Sequence, residues 1–153
     1  MCASVFTAPT WSARSEVDDT PQTYCYPNED VVQVGNVHLL LARYSAKLRL
    51  NHRVLTAVIA HESGFVVDAY NAADPSYGLG QVMPRFWRHA FVTQCGSEAT
   101  PTTLMDPAVN ICYSAHILRH YIDAYGPVAG IDAYNNGTGQ ARGYSEHILR
   151  HID

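Results

Sequence analysis

Apolar residues recur every three to four positions along most of the chain, a pattern typical of amphipathic helices packed on a core. The stripe of a first predicted helix is formed by Val37, Leu40, Leu41, Tyr44 and Leu48. A second helix is predicted between an N-cap at Asn51 and an end near Gly64. Its apolar positions Val58 and Ile59 lead at helical spacing to Glu62. The carboxyl of Glu62 is therefore expected on the core-facing side of this helix.

The segment 64–83 interrupts the helical pattern. It is rich in Gly, Asn, Asp and Pro, which predicts an ordered loop with at most a short β-hairpin. Farther along, Asp106 and Pro107 combine an N-cap with a proline in the first turn, a typical helix start. The helix that starts there is predicted to be long and to end at Gly126 and Pro127. The other predicted elements are a short helix over 85–91, a polar loop over 93–105, a short helix over 128–134 and a last helix over about 140–151.

The length of 153 residues suits one domain with a real core. Residues 1–28, with several Pro, Ser and Thr, are predicted to form an extended arm, and residues 29–153 a mainly α domain. The hydrophobic share of 47% and the charged share of 16% indicate a globular chain. No apolar run reaches the length of a membrane span. The net charge of -4 argues against nucleic acid as a partner.

The four cysteines, Cys2, Cys25, Cys95 and Cys112, show no CxxC spacing, which disfavours zinc-knuckle and thioredoxin-like readings. Their even number allows two disulfides, and a bond between Cys25 and Cys95 is one option. Cys112 lies in a helical pattern and fits equally well as a core residue. The spacing leaves paired and free cysteines open.

The first residues lack the basic region and the long apolar core of an ordinary signal peptide. We therefore expect either a protein that stays in the producing cell until it is released, or one whose signal was removed.

Metal and nucleophile chemistry find little support. The HExxH motif fails because Phe65 stands where its second histidine belongs. Two histidine pairs have helical i, i+4 spacing, and without an evident third ligand we interpret both as surface histidines. These pairs are His116 with His120 and His147 with His151. Ser63 and His61 are two residues apart and do not face each other on a helix. We expect no metal and no cofactor.

Glu62 carries the clearest chemistry. A carboxyl on an apolar helix face holds its proton more tightly than one in water, which is what a general acid needs near neutral pH. The alternative is a solvated glutamate at a helix end. Glycosidases commonly use a second carboxylate. Asp68 and Asp74 are the candidates, although both also fit as turn residues.

Three segments, taken together and in order, carry a family resemblance. They are Ala60-His-Glu62-Ser63-Gly64-Phe, then Ser76-Tyr-Gly78-Leu79-Gly80-Gln81-Val-Met83-Pro84, then Ala133-Tyr134-Asn135-Asn-Gly137. This set resembles the SLT-type lytic transglycosylases, glycoside hydrolase family 23, which share the lysozyme-like fold with goose-type lysozymes. The helix start Asp106-Pro107 with Asn110-Ile111 also resembles the family. The resemblance covers roughly residues 35–150.

The resemblance implies a lysozyme-like fold and a single catalytic acid, Glu62. In such enzymes the acid protonates the glycosidic oxygen between N-acetylmuramic acid and N-acetylglucosamine. It then takes a proton from the muramoyl 6-hydroxyl, which attacks the anomeric carbon and forms a 1,6-anhydro product. The substrate's own N-acetyl group can stand in for a second carboxylate.

The resemblance also implies the substrate-binding residues, namely Ser76, Gly78, Gln81, Tyr134 and Asn135. Tyr134 matches a tyrosine near the catalytic carboxyl, and Ser76 a serine close to the N-acetyl group. The sequence departs from the family at Gly80, where Met is common, and we expect this loss to open the wall of the cleft.

The predicted function is thus a peptidoglycan lytic transglycosylase that acts on the bacterial cell wall, in the periplasm. One alternative is a muramidase that hydrolyses the same bond with water placed by Asp68 or Asp74. Another is a non-catalytic wall-binding or virion protein. The expected partners are glycan strands and, depending on the setting, components of a virion for a phage-encoded protein or of a secretion complex.

Overall fold

The computed structural model describes residues 36–152 in full. Before them it describes only the backbone of two short strands and of the first turns of a helix. The strands are β1 (Ala3–Ser4) and β2 (Thr23–Tyr24), which pair antiparallel with Ala3 opposite Tyr24. The rest of the predicted arm over 1–28 lies outside the described residues.

The described chain is mainly helical, as predicted. Its helices are α1 (Asn28–Leu48), α2 (His52–Ser63), α3 (Pro84–Trp87), α4 (Val92–Cys95), α5 (Pro107–Tyr125), α6 (Pro127–Asn136) and α7 (Tyr144–Arg150). A 3-10 turn, Thr103–Met105, precedes α5. The predicted hairpin is present as β3 (Tyr70–Asn71) and β4 (Ser76–Tyr77), with Tyr70 opposite Tyr77. No described helix is both long and apolar enough to cross a bilayer.

The ends of α2 and the start of α5 follow from local side-chain chemistry. Oδ1 of Asn51 accepts hydrogen bonds from the backbone N–H groups of Arg53 at 2.9 Å and Val54 at 3.4 Å. Gly64 ends α2 in the left-handed region at φ 58°. Oδ1 of Asp106 caps α5 by accepting from the N–H of Ala108 at 2.8 Å. These predicted caps are confirmed.

Two helix boundaries differ from the prediction. The helix predicted over 85–91 is the shorter α3, and α4 follows in the segment predicted as a polar loop. Gly96, at φ 74°, closes α4 with a bond from its N–H to the carbonyl of Val92. The last helix begins at Tyr144 and not near residue 140, because Gly143 at φ 84° interrupts the helical backbone just before it.

Two hydrophobic clusters form the core, and α5 contributes to both. The larger cluster joins α1, α2, α5, α6 and α7 through residues such as Leu41, Leu55, Val58, Ile59, Ile111 and Ile148. The smaller one joins α5 to the segment before it through Val82, Ala99, Leu104, Tyr113 and Ile117. The predicted stripe of α2 is therefore buried, which brings its last turn against α7.

A disulfide between Cys95 and Cys112 corrects the expectations for both residues. Their Cα atoms lie 5.7 Å apart, since α4 packs against α5. Cys95 is therefore bonded to Cys112 and not to Cys25, and Cys112 is not an unpaired core cysteine.

Candidate active site

Glu62 lies in the last turn of α2 and is held by a tyrosine from α7. The hydroxyl of Tyr144 donates a hydrogen bond of 2.7 Å to Oε1 of Glu62. The glutamate is partly buried, and Tyr144 is 6% exposed, so little water competes for this bond. The structure thus has one carboxylate oxygen of Glu62 bonded to a phenol at the edge of the larger core cluster.

Burial raises the pKa of the Glu62 carboxyl, while the hydrogen bond from Tyr144 acts in the opposite direction by favouring the ionised form. Burial is the larger effect, so the net pKa lies above the usual range for glutamate. The pKa of Tyr144 is also raised, by burial and by the charge of Glu62, so its phenol stays a donor. This arrangement suits a carboxyl that must carry a proton near neutral pH and release it to a substrate.

A buried aspartate fixes the position of Tyr144. Tyr144 is the first residue of α7, and the next residue, Ser145, donates to Asp132 of α6. The backbone N–H of Ser145 reaches Oδ1 at 2.8 Å and its hydroxyl reaches Oδ2 at 2.7 Å. Asp132 is 1% exposed and occupies the N-terminus of α7, where a carboxylate is electrostatically favourable. It therefore anchors the helix start that brings Tyr144 to Glu62.

Tyr144 is not among the site residues predicted from the sequence, because it fits there as part of the apolar stripe of the last helix. A tyrosine on such a stripe carries a hydroxyl that needs a hydrogen-bond partner when buried. That requirement was the available signal for a polar contact, but it could not name Glu62 as the partner.

Strand β4 and the loop after it hold three of the predicted substrate-binding residues together. The hydroxyl of Ser76 donates to Oε1 of Gln81 at 2.8 Å. Nε2 of Gln81 donates to the carbonyls of Gly78 at 2.9 Å and Ala69 at 3.2 Å. Gln81 itself has a positive φ of 50°, an uncommon conformation for a residue with a side chain. Its side-chain bonds thus fix a tight turn.

The side chain of Asn110, on α5, holds this loop in place through hydrogen bonds. It is fully buried, and its Oδ1 accepts from the N–H of Gly80 at 2.8 Å. Its Nδ2 donates to the carbonyls of Tyr77 at 2.8 Å and Leu104 at 2.9 Å. A Cβ at Gly78 would collide with the amide of Asn110, so this position needs glycine.

The expectation that Gly80 opens the cleft wall is wrong. A Cβ at Gly80 would collide with Oγ of Ser114 and lie 2.7 Å from the hydroxyl oxygen of Tyr134. These two side chains fill the space that a side chain at position 80 would need. The hydroxyl of Tyr134 also donates to the carbonyl of Gly80 at 2.8 Å. The loop is therefore packed directly on α5 and α6.

Tyr134 and Asn135 end up in different environments. Burial and the nearby charge of Glu62 raise the pKa of Tyr134. Asn135 is exposed near the end of α6. The next residue, Asn136, builds the following turn by accepting from the N–H groups of Thr138 at 2.9 Å and Gly139 at 3.1 Å.

The two loop carboxylates are not part of this arrangement. Asp74 forms a salt bridge of 2.8 Å with Arg85, which ties the hairpin loop to α3. Asp68 is exposed. Within residues 36–152, none of the hydrogen bonds or ion pairs joins Glu62 to a second carboxylate.

The two predicted histidine pairs differ. His147 and His151 lie together, with ring centroids 4.5 Å apart. The ring of His61 meets Tyr144 edge-on with centroids 5.0 Å apart and lies 4.9 Å from the ring of His147. His120 is exposed, as expected. His116 is not a surface histidine, because it is half-buried beside the disulfide.

A concavity of about 340 Å³ lies elsewhere, between α1 and the start of α5. It is lined by Asn36, Leu39, Leu40, Arg43, Asp106, Pro107 and Ala108. Its carboxylate, Asp106, already caps α5. The chemistry of the domain is therefore better assigned to Glu62 than to this concavity.

Comparison with known proteins agrees with this fold. Residues 40–147 match the family described as the transglycosylase SLT domain, and the chain belongs to that family. No curated protein sequence matches the chain.

The fold is shared with solved structures, among them two lytic transglycosylases. One is an inactive glutamate-to-glutamine variant of the lytic transglycosylase Slt from Pseudomonas aeruginosa, with TM-score 0.59, 24% identity and 74% of this chain covered. The other is the 70 kDa soluble lytic transglycosylase from Escherichia coli, with TM-score 0.58, the same identity and the same coverage. The match spans 20% and 19% of those two chains, so this chain corresponds to about a fifth of their length.

Proposed function

We propose that the protein is a peptidoglycan lytic transglycosylase in which Glu62 is the general acid and base. The observation that carries this proposal is the partly buried carboxyl of Glu62, bonded at 2.7 Å to the phenol of Tyr144 and with its pKa raised by burial. Membership of the SLT family supplies the reaction and the substrate class. The inactive variant of the Pseudomonas enzyme, in which one glutamate is replaced by glutamine, fits a single essential acid of this kind.

In the proposed first step, Glu62 donates its proton to the glycosidic oxygen between N-acetylmuramic acid and N-acetylglucosamine. The bond from that oxygen to the anomeric carbon breaks, and Glu62 becomes a carboxylate. Tyr144 stabilises this carboxylate by its hydrogen bond, because a donor aimed at a partly buried negative charge is a strong interaction. Asp132 contributes by holding the start of α7 in place.

In the proposed second step, the Glu62 carboxylate takes the proton of the muramoyl 6-hydroxyl. The oxygen of that hydroxyl attacks the anomeric carbon and closes a 1,6-anhydro ring. An intramolecular nucleophile of this kind has a high effective concentration. Neither Asp74, paired with Arg85, nor the exposed Asp68 is arranged to activate a water in its place.

The glycan strand is proposed to bind along the loop of Ser76, Gly78 and Gln81 and near Tyr134 and Asn135. The clamp from Asn110 and the contacts of Gly80 support this by making the loop a rigid platform. Peptidoglycan in the bacterial wall is the proposed site of action. Virion or secretion-complex partners stay predictions.

The direct test is Glu62→Gln. This change keeps the shape of the side chain and removes the transferable proton, so release of soluble fragments from purified sacculi should fall by roughly 100- to 10,000-fold. A suitable control is Glu146→Gln, an exposed glutamate of α7, which should leave the rate unchanged. Near wild-type activity in the Glu62→Gln protein, with an unchanged circular dichroism spectrum, would contradict the assignment.

A further inference from the structure

Two sulfurs and an imidazole meet on the side of the domain formed by α4 and α5. The Sγ atoms of Cys95 and Cys112 and a ring nitrogen of His116 all lie within 4.8 Å of one another. Cys112 and His116 are four residues apart on α5 and so share one helix face. Cys95, the last residue of α4, approaches this face from outside the helix. The proposed glycan chemistry uses none of the three.

The chemistry and spacing of this group suit a zinc ion once the disulfide is open. Thiolate sulfur and imidazole nitrogen are standard zinc ligands. Two sulfurs on one tetrahedral zinc lie about 3.8 Å apart, given Zn–S distances of about 2.3 Å. The Cα separation of 5.7 Å between Cys95 and Cys112 leaves room for the sulfurs to reach that spacing by side-chain rotation. The carbonyl oxygen of Gln94 lies 3.7 Å from Sγ of Cys112.

The imidazole of His116 has a buried ring nitrogen, Nε2, without a hydrogen-bond partner in the part of the chain that the structure describes. A buried polar nitrogen without a partner is unfavourable. The ring of Phe91 stacks on His116, with centroids 5.1 Å apart and planes inclined by 23°, which fixes the ring orientation. A metal ion bound to the imidazole would use a ring that is already held in place.

We propose that the reduced protein binds a Zn²⁺ ion through Cys95, Cys112 and His116, and that the disulfide is the metal-free form of the same site. A dithiol supplies two electrons and two protons, its own sulfurs join in a disulfide, and the Cys95–Cys112 bond opens to two thiols. Zinc then displaces the two thiol protons and binds two thiolates and neutral His116. In the reverse direction the two thiolates give two electrons to an oxidised dithiol, which takes two protons from the solvent. The protein disulfide re-forms and the ion leaves.

The consequence is structural. The two cysteines are separated by 17 positions, and the chain between them holds the 3-10 turn that packs on α5. The disulfide and the zinc ion each tie this segment to α5. The segment that contributes to the smaller core cluster therefore stays cross-linked to α5 under reducing as well as oxidising conditions.

The test uses the full chain with Cys2→Ser and Cys25→Ser, so that the remaining thiols are Cys95 and Cys112. The protein is reduced with a dithiol, and the dithiol is then removed under anaerobic conditions. The reduced protein is titrated with Co²⁺ and then with Zn²⁺. The reduced protein should show thiolate-to-cobalt charge transfer and tetrahedral visible bands, saturate at one ion per chain, and lose these bands when zinc is added. The oxidised protein should show none of them.

His116→Phe is the decisive variant, because it keeps a ring against Phe91 and removes the ligand. Its Co²⁺ affinity should fall by more than the roughly 10- to 100-fold that loss of an outer-shell partner costs. His120→Ala, one turn farther on α5 and exposed, is the matched control and should bind as the parent does. Thermal unfolding is a second measurement. Zinc should raise the midpoint temperature of unfolding of the reduced parent protein only. Absence of the charge-transfer band in the reduced parent, or unchanged affinity in His116→Phe, would overturn the proposal.

Discussion

Replacing Tyr144 by Phe tests how the site stabilises the carboxylate of Glu62 and sets its pKa. The change removes one hydroxyl and leaves the ring that packs beside His61. The hydroxyl donates at 2.7 Å to Oε1 of Glu62, and this is the bond that stabilises the carboxylate after it has given up its proton. Hydrogen bonds to charged groups contribute about 1.5–3 kcal/mol. If the transition state loses this hydrogen-bond contribution, kcat/KM should fall roughly 10- to 150-fold.

The same variant should also change the pH dependence in a defined direction. The bond from Tyr144 lowers the pKa of Glu62, against the larger effect of burial, which raises it. Without the bond the pKa of Glu62 rises further. Because protonated Glu62 is the active form in the first step, the alkaline limb of kcat/KM should move to higher pH while the maximum rate falls.

The assay is the initial rate of soluble fragment release from purified sacculi, measured across pH for each variant. Tyr113→Phe is the matched control, since its hydroxyl donates to the carbonyls of Ser97 at 2.8 Å and Arg88 at 3.3 Å in the smaller core cluster. This control should lose about 0.5–1.5 kcal/mol of stability and keep its pH profile. A Tyr144→Phe protein with wild-type rate and an unmoved alkaline limb would refute the role given to the phenol.

Three further predictions concern packing, the loop carboxylates and metal. Gly80→Ala should lower the free energy of unfolding by about 1–3 kcal/mol in denaturant titration, because its Cβ collides with Ser114. In a Ser114→Gly background the same change should cost less, and an equal cost in both backgrounds would count against the collision. Asp68→Asn and Asp74→Asn should each retain most of the activity, so an inactive Asp74→Asn protein would favour the muramidase alternative. EDTA should leave the activity of the disulfide form intact, and loss restored by zinc would show that metal takes part in catalysis.

The elements that could be predicted from the sequence are those with local causes. The caps at Asn51 and Asp106 lie within a few residues of the backbone groups they bond. Gly64 ends α2 through its own left-handed backbone. The period of the apolar residues sets which side of α2 is buried and therefore where Glu62 points. Each of these signals is complete within one helix and its neighbours in sequence.

What was missed depends on contacts between distant parts of the chain. Tyr144 and Glu62 are 82 positions apart, and Tyr134 and Gly80 are 54 apart. No periodicity encodes such a pairing, because it arises only when α2, α6 and α7 pack together. The role of Asn110 was hidden for the same reason, since an asparagine in a helix gives no sign of the loop that it holds.

The identity of the released sugar tests the central claim most directly. Muropeptides freed from purified sacculi by the wild-type protein are analysed by mass spectrometry before and after treatment with borohydride. The account predicts 1,6-anhydro ends, which have no reducing group, so the masses should not change. Products that gain two hydrogens on reduction would show that water had attacked the anomeric carbon, and would contradict the account.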